Sequence, residues 1–312
     1  MKLQPTQVRQ LTGYMAALPT PFRDDTLDEH AFSRLCEWQI GQGTAALVVA
    51  GTTGEAPTLS TMEQGRLIRL AAQAARGRVP VIAGAGSNST RHAIELAELA
   101  VSSGADALLC VVPYYNKPTQ EGLYGHFSAI HDAVELPVLL YDVPSRTCCS
   151  LALDTIVRLA ELPRIVGLKD ASGDLSRPAR LRRALGHEFR LFTGDDATAL
   201  GFFALGGDGC ISVTANVAPR LCAQLHDAWR QGATEEAETA SELLVKLTDA
   251  LFAETSPVPV KYALELMGFM SSQVRLPLCA AAESTRCAVA EVLTRLSLIG
   301  PRPVSRRVPV AA

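Results

Sequence analysis

At 312 residues and 48% hydrophobic composition, the chain can bury one large core or two ordinary ones, which excludes disorder of the whole. The net charge of -3 mixes both signs and no basic block is interleaved with aromatics, so a nucleic-acid partner is not expected and small-molecule chemistry is. Residues 1–12 lack the apolar centre of a secretory signal and no apolar run approaches bilayer length, so a cytoplasmic protein with no membrane association is expected.

The predicted elements alternate along the chain. Residues 13–18 read as a strand stopped by Pro19-Thr20-Pro21, and a helix follows from about Asp28. Residues 45–50 form the second strand and end on Gly51-Thr52-Thr53-Gly54-Glu55, beyond which Ser60 and Glu63 have the spacing of a capping box. A third strand over residues 79–83 leads to a helix over 90–103. Between them, Gly84-Ala85-Gly86-Ser87-Asn88-Ser89 opens like a dinucleotide-binding fingerprint but carries Ser89 where the third glycine belongs. Residues 107–112 lead through Pro113-Tyr114-Tyr115-Asn116-Lys117 into a helix over 120–135, and strands over 138–142, 165–169, 189–193 and 209–213 continue the series.

Helical patterns over 197–205 and 219–231 close the last two of eight strand and helix units. That count argues for closure into a (β/α)8 TIM barrel rather than an open sheet. Beyond Gln231 the patterns over 235–253, 259–267 and 281–297 are helical without strands between them, so a C-terminal helical appendage is expected. The predicted organisation is an N-terminal extension over 1–12, a catalytic barrel over 13–231, a helical region over 232–299 and a mobile tail over 300–312.

Cys36, Cys110, Cys210 and Cys222 fall in apolar patterns where thiols pack as small hydrophobes, and Cys148-Cys149 has no second pair to complete a tetrahedral set. No metal is expected. The six histidines, His30, His92, His126, His131, His187 and His226, are read as surface or helix residues without a chemical role.

Barrel enzymes carry their chemistry at the C-terminal ends of the strands. There the chain places Thr52 and Thr53, Tyr115, Tyr141 and Arg146, Lys169 and Gly194, with Ile211 in the last strand. Each alone fits an ordinary role: threonines cap helices, tyrosines fill cores and loop arginines are solvated. Their concentration at six strand ends is what suggests a site. The stretch Arg164-Ile165-Val166-Gly167-Leu168-Lys169-Asp170 ends an apolar run on a lysine. Strand alternation puts Ile165, Gly167 and Lys169 on one face and Val166 with Leu168 on the other, Gly167 leaving room beside the lysine. A lysine short of polar neighbours can present a free amine that attacks a carbonyl to give a Schiff base. The loop from Gly51 to Glu55 offers hydroxyls and backbone N–H groups for a carboxylate, with Gly51 and Gly54 allowing close approach, so a small keto acid fits. Tyr141 faces the barrel axis if Asp142 faces outward, where a phenol can shuttle protons.

The motifs G-T-T-G-E at Gly51, P-Y-Y-N at Pro113, Y-D-V-P-S-R-T at Tyr141, G-L-K-D at Gly167 and I-S-V-T-A-N at Ile211 resemble the dihydrodipicolinate synthase family, one of the pyruvate-dependent class I aldolases that include N-acetylneuraminate lyase. The resemblance implies that Lys169 forms a Schiff base with pyruvate and that Thr52, Tyr141 and Tyr115 relay protons, Tyr115 being donated by a neighbouring subunit of a homotetramer built as a dimer of dimers. It implies that Thr53 binds the pyruvate carboxylate, Arg146 the carboxylate of L-aspartate 4-semialdehyde, and that Gly194 and Ile211 line the pocket. No cofactor is implied, because the lysine iminium is itself the electron sink. A different pyruvate aldolase acting on a 4-hydroxy-2-oxo acid would keep Lys169, Tyr141 and the glycine loop without needing Arg146, and an idle keto-acid-binding paralogue would need neither tyrosine. The chain departs from the family at Asp142, where asparagine is usual, and at Cys148, where glycine is usual. An outward Asp142 in water would do little to Tyr141. Lysine-sensitive relatives carry histidines at the positions of Thr61 and Gln64 and a glutamate at that of His92, which implies weak inhibition of this chain by L-lysine.

Overall fold

Runs such as Val81–Gly84 and Val138–Asp142 are apolar on both faces, the pattern of strands covered by helices outside and by side chains inside. In the computed structural model, which describes residues 11–300, eight such strands close into one parallel barrel. They are β1 (Gly13–Ala17), β2 (Leu47–Val49), β3 (Val81–Gly84), β4 (Ala107–Val111), β5 (Val138–Asp142), β6 (Ile165–Asp170), β7 (Arg190–Thr193) and β8 (Gly209–Ser212). Each pairs with its successor and β1 pairs with both β2 and β8, so no edge is left exposed. The expected (β/α)8 TIM barrel is therefore the observed fold. Nearly all of residues 1–12 and 300–312, read above as extension and tail, lie outside the described residues.

The helices between strands are α1 (Glu29–Gly41), α2 (Thr61–Ala75), α3 (Thr90–Ser103), α4 (Gln120–Ala133), α5 (Leu153–Ala160), α6 (Ser176–Leu185), α7 (Ala199–Ala204) and α8 (Pro219–Gln231). Their starts are written in the sequence: Asp28, Ser89 and Thr119 each accept a backbone N–H of the first turn, and Ser60 with Glu63 forms the full capping box. After α8 come α9 (Thr234–Leu251), α10 (Val258–Leu266) and α11 (Glu283–Arg295), with no strand between them. Among the described residues no helix is long and apolar enough to cross a membrane.

Two apolar layers hold the barrel. Met15, Val48, Ile82, Leu139, Phe192 and Ile211 fill its interior, and a larger cluster joins the outer strand faces to the helices. The expected alternation along β6 fails at one point. Val138 pairs with Ile165 but Leu139 pairs with Gly167, so Val166 is an inserted bulge residue. Parity shifts there: Val166 joins the interior cluster, while Ile165 lies with Leu168 in the outer one. Lys169 and Ile165 consequently do not share a face.

Three of the histidines are buried on their helices: His126 and His131 on α4, His226 on α8. The Nδ1 of His126 lies 2.9 Å from Thr90 Oγ1, and burial lowers its pKa from 6.5 to about 4. The folded state thus holds the neutral ring while the unfolded chain takes up a proton. Stability from this residue is complete above pH 6.5 and is lost as pH falls from there through about 4, by up to about 3 kcal/mol. Urea unfolding of a His126→Gln variant across this range should show a flatter decline of stability with acid than the parent chain. Parallel declines in the two proteins would contradict the assignment.

Candidate active site

Lys169 sits one residue from the end of β6, directly across from Tyr141 on β5. Both side chains are buried, and the lysine Nζ lies 4.4 Å above the centre of the Tyr141 ring. What makes room for the lysine is Gly194, just past β7. A Cβ on Gly194 would stand 2.6 Å from Lys169 Cε and 2.9 Å from Ala171 Cβ. Gly167, expected to play this part, is required for another reason: a Cβ there would meet the Arg190 carbonyl at 2.6 Å and Leu139 at 3.0 Å. The bulge at Val166 turns this position against the neighbouring strands.

Above the lysine is a cavity of about 440 Å³ whose wall includes Thr52, Thr53, Tyr141, Arg146, Lys169 and Gly194. Six residues from four strand ends thus converge on one space. Arg146 lies on a one-turn helix, Pro144–Thr147, absent from the sequence reading, and its guanidinium reaches the Ser256 carbonyl at 3.4 Å. At β8 the wall is Val213; Ile211 lies in the barrel interior, fully buried and in register with Met15 of β1. Tyr115 stands apart. It is 88% exposed, has φ of +72°, and lines neither this cavity nor the adjoining one of about 400 Å³, which shares Thr52, Tyr141 and Arg146 and adds Gln64, His92 and Tyr114. Within one chain it therefore does not join Lys169 and Tyr141 in the cavity wall.

The loop carrying the two threonines is fixed from below. Ala50 is left-handed at φ +53°, and its carbonyl turns into the space where a Cβ of Gly84 would lie, 2.1 Å away. Gly54 is similarly confined: a Cβ would sit 3.2 Å from Ala50 and from the Leu18 carbonyl, and the Gly54 carbonyl accepts from Thr20 Oγ1 at 2.7 Å. Gly51, by contrast, has nothing within 4 Å of a Cβ position, so close packing within the chain does not require glycine there. The loop runs into a single 3-10 turn, Ala56–Thr58, before α2 begins.

Two buried carboxylates escaped the sequence reading or were misplaced by it. Asp142 does face away from the cavity, yet it is fully buried rather than in water. It accepts from Ser150 Oγ at 2.7 Å and the Leu151 amide at 3.1 Å, and pairs with Arg177 of α6 at 2.9 Å, while burial pushes its carboxyl pKa upward. Strand parity gives direction but not what the covering helix supplies, which is why the ion pair was invisible. Asp196, in no motif of the sequence, is also buried. It accepts from Ser212 Oγ and from the Val213 and Thr214 amides, tying the end of β8 to the loop after β7. The helical region also reaches the site: Thr248 and Asp249 of α9, with Phe252 and Ser256 beyond it, complete the cavity wall.

The sequence model of the Dihydrodipicolinate synthetase family matches residues 10–296 of this chain. The 4-hydroxy-tetrahydrodipicolinate synthase of Rhodospirillum centenum is 53% identical over 92% of this chain and 99% of its own length. Among solved structures, chloride-inhibited dihydrodipicolinate synthase from Acinetobacter baumannii complexed with pyruvate superposes with a TM-score of 0.90 at 46% identity, covering 93% of this chain and 100% of that one. The enzyme from Cyanidioschyzon merolae with lysine bound superposes with a TM-score of 0.90 at 38% identity, covering 93% and 99%.

Proposed function

Because the chain belongs to the dihydrodipicolinate synthetase family, we propose that it is a 4-hydroxy-tetrahydrodipicolinate synthase, a lyase of lysine and diaminopimelate biosynthesis that condenses pyruvate with L-aspartate 4-semialdehyde. The observation that carries the reading is Lys169, buried against Tyr141 at the floor of a cavity with Arg146 at its rim. The Lys169 amine adds to C2 of pyruvate and water leaves, forming an iminium. Loss of a C3 proton gives an enamine, whose carbon attacks the aldehyde of the second substrate. The α-amine of that substrate then adds to the former C2 and expels the lysine, closing the ring and restoring the enzyme.

Each of these steps moves protons, and Tyr141 and Thr52, with Tyr115 from a neighbouring subunit, are the hydroxyls assigned to carry them. Thr53 holds the pyruvate carboxylate, Gly194 contributes backbone, and Ile211 supports the floor from one layer below. Arg146 grips the semialdehyde carboxylate in a planar two-point contact. The 88% exposure of Tyr115 leaves it free to be given to a second chain, and the homotetramer, a dimer of dimers, belongs to the same proposal. A catalytic barrel over 13–231, a supporting helical region over 232–299, a cytoplasmic setting and independence from any cofactor belong to the same proposal. Consumption of pyruvate with L-aspartate 4-semialdehyde, coupled to a downstream reductase, tests it. Turnover with a simple aldehyde in place of the semialdehyde, and none with the semialdehyde, would favour a different pyruvate aldolase.

Inhibition by L-lysine should be weak. In the adjoining cavity Gln64 donates to the Ala56 carbonyl, and His92 pairs with Glu95 at 3.1 Å. Of the substitute acids, Glu95 is taken up by His92, and Glu63 is committed to Ser60 and Arg275, whose guanidinium holds its pKa down to about 2. Without a carboxylate for a lysine ammonium, affinity falls by about 1.5 kcal/mol, about tenfold. A lysine titration at saturating pyruvate should therefore show little inhibition at millimolar concentration; half-inhibition well below that would contradict the account.

A further inference from the structure

Beneath the loop that carries Thr52 and Thr53 is an ion pair closed to water on both sides. Lys261 of α10 donates to Glu55 at 2.7 Å, and both side chains have 0% exposure. The second Glu55 oxygen accepts the Arg275 amide at 3.0 Å. Phe22 covers the group, its ring 4.4 Å from Lys261 Nζ on one approach and 4.2 Å from the Arg275 guanidinium on another. Arg275 in turn is spent on Asp25 and Glu63, so Lys261 is the cation left to Glu55.

Such a pair is a poor device for stability, since removing two charges from water offsets much of their attraction. It is a good device for fixing position. Glu55 holds a left-handed backbone at φ +57°, its amide donates to the Thr52 carbonyl at 3.1 Å, and its carbonyl accepts from Thr58 at 2.9 Å. Moving the carboxylate therefore moves Thr52 and Thr53. We propose that Lys261, from outside the barrel and without touching substrate, is a positioning residue for the pyruvate site: through Glu55 it sets the height of the threonine loop over Lys169 and makes the helical region part of the catalytic unit.

This rests on the Schiff-base reading, and the experiment separates the two. Borohydride trapping of pyruvate is titrated in the parent chain, in Lys261→Met and in the charge-free double variant Glu55→Gln/Lys261→Met, alongside thermal unfolding. Loss of trapping in the parent would overturn the Schiff-base reading itself. If the parent traps, Lys261→Met should be less stable, because it buries an unpaired carboxylate. The double variant should recover stability yet need about tenfold or more pyruvate for half-trapping, the loop having lost its fixed height. A double variant that traps with the parent's pyruvate dependence would overturn the positioning role. So would a single variant whose folded fraction traps as the parent does.

Discussion

Lys169→Ala should lose turnover by on the order of 10⁴-fold or more while the barrel stays folded. The size of the loss follows from chemistry. Every step on pyruvate in the proposed cycle depends on its bond to the lysine nitrogen, and among the described residues no other amine lines the cavity. Retention of the fold follows from surroundings. Among the described residues Lys169 has no ion-pair partner, and its Nζ rests over the face of Tyr141, so truncation strands no buried carboxylate. Lys169→Arg separates charge from nucleophilicity, because a guanidinium keeps the positive charge and does not deprotonate to attack a carbonyl. It should be as inactive as alanine in the coupled assay, with circular dichroism unchanged. Turnover by either variant close to the parent's would place the nucleophile elsewhere.

Arg146→Ala should divide the reaction in two. The guanidinium is exposed at the cavity rim and, among the described residues, has one long hydrogen bond, to the Ser256 carbonyl at 3.4 Å, so folding depends on it little. Its proposed partner is the carboxylate of the second substrate, a charge-assisted contact worth about 2–3 kcal/mol. The variant should lose roughly 30- to 150-fold in kcat/KM for L-aspartate 4-semialdehyde. Pyruvate trapping, which precedes arrival of that substrate, should be unchanged. Equal losses in both would mean that Arg146 holds the loop rather than the aldehyde, and an unchanged kcat/KM would favour an aldolase that does not select an acidic acceptor.

The strand-end residues were legible because two simple periodicities carry them. Eight apolar runs of strand length separated by helical patterns lead to a closed parallel barrel, and a barrel says which end of each strand matters. Lys169, Tyr141, Arg146, Gly194 and the two threonines reach one cavity for that reason alone. What alternation could not carry was the inserted Val166, which breaks parity inside β6 and reassigns the spacing role from Gly167 to Gly194. Nor could local pattern reveal partners that arrive from far along the chain. Lys261 meets Glu55 across 206 positions and Arg177 meets Asp142 across 35. In sequence Glu55 is a motif member and Asp142 an outward-facing acid, because a buried charge looks the same as an exposed one until its counterion is placed. Tyr115 is the converse case: its motif marks it, yet within one chain it faces outward.

The most direct measurement is reduction with borohydride in the presence of pyruvate alone, followed by digestion and mass analysis of the peptide that contains residue 169. The proposed mechanism requires a stable adduct of one reduced pyruvate on Lys169, absent without pyruvate and absent in Lys169→Ala. An adduct on any other lysine, or none in a chain that consumes pyruvate with the semialdehyde, would contradict it.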